Sequence, residues 1–94
     1  MIKSFKLLNL GFGNFIPVDE VLAVLNPAST IIKKLVDKCK KEENTKDLKT
    51  GKEKGVFDFT NGKKVGSVIY CSYGRLYLSY LQPETVIHNL ANHK

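Results

Sequence analysis

The chain reads as a small α+β domain built on a mainly antiparallel sheet. Three observations predict that class. Ninety-four residues allow one core and little more. Strand-like stretches outnumber helical ones. Two segments each open with a polar residue followed by proline, the usual grammar of a helix start. The expected order is strand, strand, helix, three strands, helix, with residues 1–94 forming one domain.

The elements follow in turn. "IKSFKLL" mixes Ile2, Phe5 and Leu7 with Lys3, Ser4 and Lys6, the alternation of a first strand. Its start has no continuous apolar core of the kind a secretory leader needs, so it is read as a strand and not a signal peptide. In "LGFGN", Gly11, Gly13 and Asn14 all tolerate positive φ, so the chain should reverse there. "FIPVDEVLAVLN" reads as one long second strand. Pro17 lacks an N–H and places that end at an edge or bulge.

"NPASTIIKKLVDKCKK" is the clearest helix, with Asn26 as cap and Pro27 at the first position. Ala28, Ile31, Ile32, Leu35, Val36 and Cys39 recur at helical spacing as an apolar stripe, and lysines occupy most of the other face. Residues 40–55 contain a single large apolar residue, Leu48, and form an exposed lysine-rich linker. "VFDFT" is a short strand, and Asn61-Gly62 is a type I′ turn that should fold it into a hairpin with "KVGSVIYCS". After a bend at Ser72–Gly74, "RLYLSYL" sets Leu76, Leu78 and Tyr80 on one side and Tyr77 and Leu81 on the other. In "QPETVIHNLANHK", Gln82 caps, Pro83 opens, and Val86, Ile87, Leu90 and Ala91 form the apolar side of a last helix. Two short helices cannot cover strands that are apolar on both faces, so a homo-oligomer is expected to bury the remainder.

Composition limits the function. The formal net charge is +6, and Arg75 is the only arginine. That balance points to a polyanion as partner: DNA, RNA or an acidic membrane surface. No run of eighteen apolar residues is present, so no membrane span is expected and the cytoplasm is the default location. Cys39 and Cys71 are far apart and outside any C-x-x-C pattern. They are read as buried thiols, with an oxidised pair as the alternative.

Catalytic patterns are missing. His88 and His93 are five apart and do not share a helix face as a zinc pair would. Asp19 and Glu20 are neighbours that point apart in a strand. "GFG" is half of a dinucleotide fingerprint and leads into a strand, so Gly11 and Gly13 are assigned to backbone shape. The chain is read as a non-enzyme with no metal site, no cofactor and no small-molecule substrate.

The informative stretch is "FTNGKKVGSVIY". Lys63 and Lys64 follow the Asn61-Gly62 turn immediately and emerge from a stiff base. By themselves they fit either of two roles, charges that keep the turn soluble or fingers for an anion. Phe57, Phe59, Tyr70, Tyr77 and Tyr80 could stack RNA bases or fill the core.

"LNLGFGNFIPVDEVLAVLNPAST", "IIKKLV" and "VFDFTNGKKVGSVIYCSYGRLYLSYLQPETV" resemble the RemA family of bacterial extracellular-matrix regulators, over most of the chain. The most specific pieces are "NLGFGN", the proline-started helix, "D-x-T-x-G" with two basic residues after it, and "LQPETV". The resemblance implies a fold like LytTR-type DNA-binding domains. It also implies a cytoplasmic, nucleoid-associated regulator that assembles into rings, binds double-stranded DNA, and activates matrix and osmoprotection genes. It puts DNA contact at Lys63 and Lys64, where the family carries paired arginines. Arg75 joins them as the remaining candidate. The chain departs from the family at Gly66 and Glu20, both basic positions there, and in a linker longer by roughly a dozen residues. Those departures motivate the alternative, an oligomeric interaction module that has lost DNA binding.

Overall fold

A computed structural model describes residues 6–41 and 55–91. Ile2, Phe5, His93 and most of the lysine-rich stretch, residues 42–54, lie outside the described residues.

Strands β1 (Leu7–Gly11) and β2 (Asn14–Pro17) pair antiparallel, with Leu8 opposite Ile16 and Asn9 opposite Phe15. Alternation sends Leu8, Leu10 and Ile16 into the core and leaves Leu7 and Phe15 outside. The chain reverses at "LGFGN" as expected, through Gly11 (φ 96°), Phe12 (φ 55°) and Gly13 (φ 77°). Asn9 Oδ1 accepts the Gly11 N–H at 2.8 Å, and Asn14 Nδ2 donates to the Gly11 carbonyl at 3.0 Å.

The long second strand is not continuous. Pro17 ends β2, a 3-10 turn over Val18–Glu20 follows, and β3 (Val21–Leu25) belongs to a different sheet. Asp19 and Glu20 therefore sit in a turn, not in a strand.

Helix α1 (Thr30–Lys41) starts later than the Asn26 cap predicts. Asn26 instead builds a preceding turn: its Oδ1 accepts the Ala28 N–H at 2.9 Å and its carbonyl accepts the Ser29 N–H at 3.3 Å. Ser29 then accepts the first helical bond, from the Lys33 N–H at 3.0 Å. Ile32, Leu35, Val36 and Cys39 pack inward as expected, whereas Ala28 and Ile31 are exposed.

The second sheet has the order β3-β5-β6-β4, with β4 (Gly55–Asp58), β5 (Ser67–Cys71) and β6 (Arg75–Ser79). β5 pairs antiparallel with both β3 and β6, while β4 runs parallel to β6. This overturns the hairpin expected at Asn61-Gly62, because β4 and β5 are not neighbours. β6 lies between them, and the loop after β4 passes around the end of β6. Phe59 N–H donates to the Leu78 carbonyl at 2.9 Å on one side, and Gly66 N–H donates to the Ser79 carbonyl at 2.8 Å on the other. A parallel partner requires a crossover of this kind, which turn chemistry alone does not reveal.

Helix α2 (Pro83–Ala91) opens as expected, with the Gln82 carbonyl accepting the Thr85 and Val86 N–H groups. Val86 is buried, while Ile87 and Ala91 are exposed.

Period-two alternation loads both faces of the larger sheet. Val68, Leu76 and Leu78 meet α1, and Ile69, Cys71 and Tyr77 meet α2 and the β1–β2 hairpin. Leu76 and Leu78 thus oppose Tyr77 and Leu81 as expected, but Tyr80 leaves the strand end for the hairpin tip. The hairpin supplies the cover that two helices alone would lack, so an uncovered sheet face is no longer the reason to expect an oligomer. Cys39 and Cys71 belong to cores on opposite faces, and no disulfide joins them. Burial pushes the Cys71 thiol up to about 12.

Candidate nucleic-acid interface

The loop after β4 is ordered one residue at a time. Asp58 Oδ1 accepts both the Thr60 N–H, at 2.9 Å, and the Thr60 hydroxyl, at 2.6 Å. These bonds, the hydroxyl's first, hold the Asp58 carboxyl below its ordinary value of 3.8. Thr60 is buried, and its carbonyl accepts the Lys63 N–H at 3.0 Å, closing a turn over Asn61 (φ 54°) and Gly62 (φ 84°). The positive φ values are those of a type I′ turn, here within a crossover loop. "D-x-T-x-G" therefore encodes a relay in which the aspartate fixes the threonine, the threonine fixes the turn, and the turn presents Lys63 and Lys64 to solvent.

The hairpin tip braces this loop. Ser79 Oγ donates to the Leu10 carbonyl at 2.8 Å and accepts the Leu81 N–H at 3.1 Å, tying the end of β6 to β1. Tyr80 then lies over Gly11, where a Cβ would collide with its ring. Its centroid is 4.8 Å from that of Phe12. Lys63 Nζ stands 5.6 Å from the Tyr80 centroid, within cation–π range. Gly11 and Gly13 thus shape the backbone, as expected, and at Gly11 the missing side chain also admits Tyr80. Phe12 packs against that ring. "GFG" and "TNGKK" meet through Tyr80, which belongs to neither motif, and no periodicity links segments fifty residues apart.

Arg75 is placed elsewhere. It begins β6, whereas the lysine loop joins the other end of that strand, about 13 Å away at a strand's rise. Arg75 Nη1 is 3.3 Å from Glu20 Oε1, with both side chains partly buried. The Glu20 carbonyl accepts the Ser72 hydroxyl at 3.3 Å. Glu20 is therefore charge-matched by the arginine. Gly66 is buried, and a Cβ there would drive into the backbone carbonyls of Tyr80 and Leu81, so the position has no room for a longer side chain.

The aromatics considered for base stacking are mostly core. Tyr77 is buried, with the Phe57 and Phe59 rings each 5.3 Å from it. Among the described residues, no group of three His, Cys, Asp or Glu side chains could hold a metal ion, and no helix is long and apolar enough to cross a membrane.

Comparison with known proteins agrees with the resemblance seen in the sequence. The model of the RemA-like family, described as extracellular matrix regulatory protein A-like, matches residues 7–90. A protein of Thermotoga petrophila is 37% identical over 82 residues, covering 87% of this chain and 77% of its own length. One from Fervidobacterium nodosum is 38% identical over 82 residues, covering 87% and 76%. One from Bacillus cytotoxicus is 33% identical over 89 residues, covering 95% and 90%. All three are provisionally named regulatory proteins.

Proposed function

The chain belongs to the RemA-like family, and on that premise we propose that it is a ring-forming, DNA-binding transcriptional regulator that grips the phosphate backbone through repeated lysine loops. The observation that carries this reading is the braced loop itself. Lys63 and Lys64 project from a turn closed by the Asp58–Thr60 relay and backed by Tyr80, and they form no ion pair among the described residues. Charge held on a rigid base loses less entropy when it meets a polyanion than the same charge on a loose one.

Two lysines from one subunit are a weak handle. Copies repeated around a ring turn the later contacts into intramolecular ones, and avidity climbs steeply. The outer face of the hairpin, with exposed Leu7 and Phe15, offers apolar surface for assembly. Lysines supply charge without the flat fork that reads a guanine edge, so sequence preference comes from DNA bendability or spaced sites. Arg75, held by Glu20 at the far end of β6, is the candidate with the least to contribute to this grip. The role places the protein in the cytoplasm at the nucleoid, on promoters of matrix-type genes.

Light scattering together with a salt-titrated gel shift tests this. Lys63→Ala combined with Lys64→Ala should abolish a salt-sensitive shift while particle size stays the same. Full binding by the double variant would sink the site assignment. A second reading has its own support: Gly66 has no space for a cation, and Arg75 is neutralised, which leaves fewer charges for DNA. On that reading the module is oligomeric and contacts protein through "GFGNF". It predicts no duplex binding even at low salt.

A further inference from the structure

Lys63 and Lys64 are adjacent, yet they serve different sides of the loop. Lys63 lies against Tyr80, toward the hairpin. Lys64 lines a cleft of about 560 Å³ whose other wall is the start of α1. Lys33, in the first turn of that helix, lines the same cleft, as do Pro27, Gly66 and Gln82. Among the described residues no carboxylate lines this cleft; the nearest acidic neighbour in sequence on α1, Asp37, shares a different cleft with Lys33. Both lysines are exposed, and their long stems allow their charges to converge on a single anion.

Resting on the DNA-binding reading above, we propose that Lys33 is a second phosphate-binding residue and that this cleft seats a backbone phosphate of the duplex next to the one held by the lysine loop. The crossover around β6 creates the site by bringing the loop against the start of α1, two segments thirty residues apart in the chain. Such a site restores a cation to each subunit where Gly66 cannot supply one. Lys34, the next residue on α1, is also exposed but does not line the cleft, which makes it the matched control.

The test uses the full chain and a mixed-sequence DNA duplex, followed by fluorescence anisotropy over a range of salt. Lys33→Ala should weaken binding several-fold at moderate salt and flatten the plot of log affinity against log salt by about 0.9 per engaged subunit, the share of one phosphate contact. Lys33→Arg should keep both. Lys34→Ala should change neither, and light scattering should show equal particle size throughout. An unchanged slope in Lys33→Ala, or an equal loss in Lys34→Ala, overturns the cleft while leaving the lysine loop standing. If the unaltered protein binds no duplex at all, the function falls and the cleft falls with it.

Discussion

The two ends of β6 carry cations in opposite circumstances. At its start, Arg75 meets Glu20 in a partly buried pair, and its charge is spent inside the molecule. At its end, Lys63 rests on an aromatic ring that offers a quadrupole and no countercharge, and among the described residues no carboxylate lines the cleft of Lys64. A ring holds an ammonium in place without cancelling it. One strand thus separates structural from available charge, and a net charge of +6 says nothing about which is which.

The largest effect comes from closing the space on which the available end depends. Gly66→Ala should destabilise the fold by about 3 kcal/mol, because its Cβ meets backbone carbonyls that cannot swing away. Gly62→Ala, with open space around it, should cost only the strain of a left-handed residue, about 1 kcal/mol. Denaturant midpoints measured in parallel decide this, and equal losses would contradict the packing account.

Next is the brace. Ser79→Ala removes a buried hydroxyl that ties β6 to the Leu10 carbonyl, and should cost about 1–3 kcal/mol by leaving that acceptor unpaired. Hydrogen exchange at the hairpin tip should rise with it, while exchange near Arg75 stays the same.

The legibility of the fold divides along similar lines. The chain reversal at "LGFGN", the Pro83 helix start and the two-sided β6 were readable because turn glycines, proline and period-two alternation are local signals. The parallel β4–β6 pair was not, because Asn61-Gly62 specifies a bend and leaves open which strands it joins. The break after Pro17 hid in a run of β-branched residues that suits a strand in either sheet. At the site, the lysine pair was visible as charge beside a turn. The Glu20–Arg75 pair and the Tyr80 platform were not, since each joins residues more than fifty apart or in separate elements.

Asp58 gives a smaller effect, and it sharpens the comparison through pH. Its folded carboxyl titrates below the unfolded one, so the stabilisation is fully present above the unfolded value and is lost as pH falls through the folded value, below 3.8. Loop order, followed by NMR at Lys63 and Lys64, should hold at neutral pH and fade only in that acid range. Asp58→Ala should loosen the same loop at neutral pH at a cost on the order of 1 kcal/mol.

The smallest effect belongs to the structural end. Glu20→Gln removes a partly exposed ion pair and should change stability by no more than about 1 kcal/mol, read from thermal midpoints.

The most direct measurement sets the two ends against each other in one DNA titration across salt. Lys63→Ala with Lys64→Ala should flatten the salt dependence by about 1.8 per engaged subunit and weaken binding sharply, while Arg75→Ala should leave the slope near that of the unaltered protein. Equal slopes for the two variants, or a greater loss on removing Arg75, would contradict the division of charge along β6.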